Sequence, residues 1–135
     1  MAAAAAVLVE GGQRTGHGLL AGDTVGAIDT ASGRLVPAVH APGLLDRLAV
    51  TNRAIWAIAD DSGTLSRIGT ARRRVTSVVA AGGAPRDVVA GVGSLWTIDE
   101  RRRQLLEISP DYHSVIARAA PASARAERVA AGPLV

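Results

Sequence analysis

The chain has 135 residues, of which 48% are apolar and 20% charged, enough for one domain with a core of its own and too apolar for a disordered chain. Its formal charge of +3 rests on fifteen Arg and no Lys. Only Trp56, Trp96 and Tyr112 are aromatic, so the stacking platforms of a single-strand nucleic-acid groove are missing and no nucleic-acid partner is expected.

The absence of cysteine excludes a disulfide framework and a thiolate metal site. No apolar run approaches the ~20 residues that cross a bilayer. Residues 1–9 carry no positive charge ahead of their apolar run, so neither a membrane helix nor a signal peptide is read. The chain reads as cytoplasmic unless it is a piece of an exported protein.

Along the chain, residues 18–40 supply two or three apolar runs of strand length. Residues 46–80 supply four, at 48–51, 54–58, 64–68 and 75–79, and residues 86–119 supply four more, at 87–90, 94–98, 104–108 and 114–117. Residues 127–135 begin a further unit. The runs are rich in Val, Ile, Leu and Trp and are bounded by turn chemistry such as Gly91-Val92-Gly93 and Ser109-Pro110-Asp111. No segment sustains apolar spacings of three and four, which disfavours helix outside the Ala-rich ends.

These units are copies of one another with a period of 40. Ile28, Ile68 and Ile108 recur without gaps, as do Val25, Leu65 and Leu105, and Leu35, Val75 and Val115. Trp56 and Trp96 share the register, and the pairs Leu48-Ala49 and Val88-Val89 align with Arg128-Val129, where an Arg interrupts the last pair. Four short strands in 40 residues, repeated, predict an all-β chain of β-propeller blades: about three four-stranded antiparallel units in one domain over 1–135. Continuous apolar stretches such as Ala54-Ile55-Trp56-Ala57-Ile58 suit sheets buried on both faces, and each Trp is expected to fill the gap to a neighbouring blade.

The run Gly83-Ala84-Pro85-Arg86-Asp87-Val88-Val89-Ala90-Gly91-Val92-Gly93-Ser94-Leu95-Trp96-Thr97 resembles the YVTN-type, YncE-like bacterial β-propellers, as do Gly63-Thr64-Leu65-Ser66-Arg67-Ile68 and the 24–35 segment ending Ser32-Gly33-Arg34-Leu35. The resemblance covers about residues 18–132 and implies the fold, not an activity. Two departures stand out: Gly69 replaces an acidic residue of the Asp29 type, and Arg72-Arg73-Arg74 replaces a Gly-bearing turn.

Closed propellers have 4 to 8 blades, so one such chain does not close a ring. The expectation is a piece of a longer bacterial propeller protein; the alternative is a ring completed by several copies. Either way the end blades expose uncapped apolar faces, and self-association is expected through them.

In a propeller, the links between blades and those joining second to third strands open on one face. That face would carry His40, Asp46, Arg47, Asp60, Asp61, Arg86, Asp87 and Glu100 with Arg101-Arg102-Arg103. The opposite face would carry Arg34, Asn52, Arg53, Arg72-Arg73-Arg74, Asp111 and His113. Asp60 and Glu100 share a repeat position where oxygen ligands could meet a hard cation. Acidic residues in short turns more often satisfy backbone groups or form exposed pairs, and no metal site is assigned. His17, His40 and His113 lie at unrelated repeat positions, and no phosphate loop or nucleophile elbow is present.

The candidate ligand-binding residues are therefore His40, Asp60, Asp61, Arg86, Glu100 and Arg101, with no catalytic residue and no cofactor. The function expected is a non-enzymatic module that binds a protein or a small molecule on its loop face. The alternative is a metal-dependent lyase similar to the streptogramin (virginiamycin B) lyases, for which His40 with Asp60 or Glu100 would be the only set.

Overall fold

A computed structural model describes residues 4–9, 23–120 and 128–132, with backbone alone over 4–9 and 37–38. Eleven strands follow one another: β1 (Ala4–Val9), β2 (Thr24–Asp29), β3 (Leu35–His40), β4 (Leu45–Val50), β5 (Ala54–Ala59), β6 (Thr64–Gly69), β7 (Arg74–Ala80), β8 (Pro85–Gly91), β9 (Ser94–Asp99), β10 (Gln104–Ser109) and β11 (Ser114–Ala119). No helix is found among the described residues. The strands form three antiparallel sheets in sequence order, β1-β2-β3, β4-β5-β6-β7 and β8-β9-β10-β11. β4 and β8 approach each other most closely between sheets, so the fan converges at these inner strands and opens towards β7 and β11.

The repeat extends to register. Trp56 stands opposite Ala49 and Arg67, and Trp96 opposite Val89 and Glu107, each partner 40 residues on. Bulges recur too, between Arg67 and Ile68 in the second sheet and between Glu107 and Ile108 in the third. The first sheet departs from this spacing. Counting 40 back from Ala54 would start its first strand at residue 14, whereas β1 starts at Ala4 and pairs with β2 from there.

Side-chain alternation in β5 explains its continuous apolar sequence. Ala54, Trp56 and Ile58 join Leu65 and Val79 in a core closed by Val88, Leu95, Leu106 and Ile108 of the third sheet. Ala57 and Ala59 turn the other way, with Ile55 packed beside them, into a core shared with Val25, Ala41, Leu45 and Ile68. The middle sheet is thus buried on both faces.

The turns between the third and fourth strands share one geometry despite different sequences. Gly33, Arg73 and His113 donate their backbone N–H to the carbonyls of Asp29, Gly69 and Ser109 at 2.7, 2.8 and 3.0 Å, and all three adopt positive φ of 67°, 48° and 51°. The Arg run therefore keeps the turn, with Arg73 taking the left-handed conformation that Gly33 takes more easily. Where Asp29 caps the turn through its carboxylate to the N–H of Ala31, Ser109 does so through its hydroxyl to the N–H of Tyr112. The Asp29 carboxyl is held below its ordinary pKa by the Ala31 and Ser32 backbone bonds.

Candidate functional site

The sheet-to-sheet linkers 41–44 and 81–84 and the hairpins 60–63 and 100–103 meet on one face. Carboxylates hold each linker down. Asp61 accepts the N–H of Leu44 at 3.1 Å and of Ser62 at 2.8 Å. Asp99 accepts the N–H of Ala84 at 3.2 Å, the N–H of Arg102 at 3.0 Å and the Arg102 guanidinium at 3.0 Å. The Asp99 side chain is only 1% exposed. Burial pushes its pKa up, but the bonds from Arg102 and Ala84 outweigh that and hold the carboxyl below its ordinary value. Gly83 makes this closeness possible: a Cβ there would overlap the Asp99 carboxylate.

Beside this frame, Arg86 reaches between two hairpins. Its Nε donates to Glu100 Oε2 at 2.5 Å, and its Nη1 lies 3.9 Å from Asp60 Oδ2. The Glu100 bond and charge raise the Arg86 pKa against desolvation, with smaller contributions from the charges of Asp60 and Asp46. Three of the six sequence-predicted residues, Asp60, Arg86 and Glu100, thus form one exposed cluster.

The other three stand apart from it. Asp61 is engaged with the 41–44 linker, His40 is exposed at the end of β3, and Arg101 is exposed in its turn. No described hydrogen bond or ion pair ties His40 or Arg101 to the cluster. His17, read from the sequence as standing at a repeat position unrelated to those of His40 and His113, lies outside the described residues.

Arg86 also lines an open groove of about 490 Å³ with Arg47, Asp87, Arg128, Val129 and Ala130, at the inner strands where the sheets converge. Asp87 is committed to backbone here, accepting the N–H of Val88 and of Val129, both at 3.1 Å. Sequence reasoning put Arg47 and Asp87 on this face without singling them out, and passed over Arg128. Its signal was the Arg that breaks the third apolar pair. Three guanidinium groups line the groove beside the Asp87 carboxylate: Arg47 is paired with Asp46 at 2.9 Å and Arg86 with Glu100 and Asp60, while Arg128 has no ion-pair partner among the described residues.

The opposite face holds a second groove of about 420 Å³, between the second and third sheets, bordered by Arg53, Trp56, Arg67 and Asp111. Trp56 Nε1 is buried without a hydrogen-bond partner among the described residues, whereas Trp96 Nε1 donates to the Gly91 carbonyl at 3.2 Å. The His113 ring lies tilted at 6.3 Å from Trp56.

Solved structures with the same arrangement of sheets include hydrazine synthase from Kuenenia stuttgartiensis, with a TM-score of 0.69 at 11% identity over 74% of this chain and 30% of that one. A catalytically inactive virginiamycin B lyase from Staphylococcus aureus with quinupristin matches with a TM-score of 0.62 at 14% identity, over 75% of this chain and 35% of that one. The WD40 β-propeller domain of Doa1 matches with a TM-score of 0.61 at 11% identity, over 75% and 34%. The described residues form an open β-propeller of three blades. The chain spans about a third of the length of these propellers. No family model matches it, and no curated protein does.

Proposed function

We propose that this chain is a non-enzymatic binding module, a YVTN-type bacterial propeller segment that takes an anionic ligand, an acidic peptide or a carboxylate-bearing small molecule, on its loop face. The observation that carries the reading is the groove lined by the guanidinium groups of Arg47, Arg86 and Arg128, with Arg86 held at its rim by Glu100 and Asp60, Arg47 held by Asp46, and Arg128 without an ion-pair partner among the described residues. Guanidinium forks fixed by neighbouring carboxylates are suited to bidentate recognition of carboxylate or phosphate.

Fluorescence anisotropy with a labelled oligoglutamate peptide tests the reading. Binding is expected that falls as salt is raised and drops at least tenfold in the Arg86→Ala, Arg128→Ala double variant. Equal affinity for an oligolysine control would overturn it.

A second reading, a metal-dependent lyase, draws on the likeness to the virginiamycin B lyase fold. It is less supported, because the Arg86 guanidinium sits between Asp60 and Glu100, where a cation shared by the two carboxylates would have to lie, and His40 makes no bond with either.

A further inference from the structure

The blades at the two ends of the fan are complementary to each other. In the covered junction between the second and third blades, Ala49, Trp56, Ile58 and Leu65 of one meet Leu106, Ile108 and the half-buried Val115 of the other. The counterparts of the first group 40 residues on are Val89, Trp96, Ile98 and Leu105. They lie on the far side of the third blade, where Ile98 is buried but Val89, Trp96 and Leu105 are only partly so and Ile116 is 51% exposed. The counterparts of Leu106, Ile108 and Val115 in the first blade are Gly26, which has no side chain to pack, Ile28, half-buried, and Leu35, 44% exposed on its near side. Far side and near side therefore carry counterparts of a junction the chain already makes twice internally, between its first and second blades and between its second and third.

The strands are complementary as well. The second and third blades each have four strands, while the described first blade has three and lacks the one equivalent to β4 and β8. Among the described residues no strand pairs with the free edge of β1. Residues 128–132 have the reverse condition. They lie along β8, with the Val129 N–H bonded to Asp87 Oδ2 and Ala131 against Gly91, much as β8 lies along β4, and they have no sheet of their own. Their repeat counterparts, Val88 to Val92, run along the inner strand β8 and into the turn that follows it.

We propose that two copies of this chain join head to tail, the far side of the third blade of each seated on the near side of the first blade of the other. Residues 128–132 of each copy supply the missing inner strand beside β1 of its partner. The repeat fixes the register. Val88, Val89 and Ala90 pair with Thr97, Trp96 and Leu95, whose counterparts in the first blade, read through β2, are Val7, Ala6 and Ala5. Arg128, Val129 and Ala130 then face the partner's Val7, Ala6 and Ala5. Two copies of three blades make six, inside the 4 to 8 of closed propellers, and three copies would exceed it. A head-to-tail junction that closes gives a ring, and one that does not gives a filament.

Sedimentation equilibrium and native mass spectrometry of the 135-residue chain test this. A monomer–dimer equilibrium that stops at two copies is expected. Trp96→Glu and Leu35→Glu should each weaken association at least a hundredfold while far-ultraviolet circular dichroism stays β-rich. Mixing the two variants should restore heterodimer, because one junction then joins two unaltered faces. In this cysteine-free chain, Val129→Cys with Ala6→Cys should oxidise to a covalent dimer on a non-reducing gel. A wild type that stays monomeric at 100 µM would overturn the proposal, as would growth beyond two copies, a Leu35→Glu variant that dimerises like wild type, or a disulfide closed within one copy.

Discussion

Trp56 and Trp96 occupy the same place in consecutive blades, each on the second strand and each facing its partners at identical offsets, yet Trp56 is fully covered and Trp96 is not. The difference lies in the neighbouring blade: one stands over Trp56, and none of the described residues forms one over Trp96. Repetition fixes the position of a side chain, and the next blade fixes its burial.

This asymmetry should appear in stability. Trp56→Ala removes a large side chain from a closed core and should cost about 3–5 kcal/mol in urea denaturation. Trp96→Ala, measured at submicromolar chain concentration, should cost less than half as much, with its larger effect falling on association. Equal costs for the two would mean that the blades do not pack as described.

The β8–β9 turn places Val92 at φ 54° and Gly93 at φ 79°. Both signs are those of a type I′ hairpin turn, which favours Asn-Gly, and a β-branched residue is strained there. Val92 is 78% exposed, so its side chain gives little packing in return. Val92→Asn should stabilise the chain by about 1 kcal/mol, read as a rise of several degrees in Tm by calorimetry. A lowered Tm would show that the turn has another form.

Asp99 should make stability depend on acid. Its folded pKa is lowered, so its contribution is present above the unfolded value of about 3.9 and is lost as pH falls through the folded value. Asp99→Asn should be less stable than wild type by about 1–3 kcal/mol at pH 7. Denaturant melts at pH 7, 5, 4 and 3 should show that gap holding at pH 5 and narrowing below pH 4. A gap that widens in acid would contradict the assignment.

Gly83 offers an independent check of the same frame. It combines φ 64° with contact against the Asp99 carboxylate. Gly83→Ala should therefore cost about 1–3 kcal/mol, while Gly83→Ala in an Asp99→Ala background should cost less, since the clash is then relieved. Strict additivity in this double-mutant cycle would separate the two residues.

Much of the fold was legible in the sequence because a repeat reports the same environment several times over. Ile28, Ile68 and Ile108 mark one strand position, and the strand limits read from such triplets fall within a few residues of those in the structure for the second and third blades. The first strand was not legible, because a longer connection moves β1 out of the 40-residue spacing. The site was partly legible. Loop geometry grouped Asp60, Arg86 and Glu100 on one face, but neither their pairing nor the tethering role of Asp61 follows from spacing, since both depend on how linkers fold over hairpins. Asp99 was missed for the same reason: a carboxylate at a strand end looks like any turn residue until its linker covers it.

The most direct test of equivalent positions with unequal cover is acrylamide quenching of the two single-tryptophan variants, Trp96→Phe and Trp56→Phe. The indole of Trp56 should emit to the blue and resist quenching at every chain concentration. That of Trp96 should be quenched readily at nanomolar concentration and become shielded as copies associate. Two indoles equally accessible in the dilute chain would contradict the fan of stacked blades on which the rest stands.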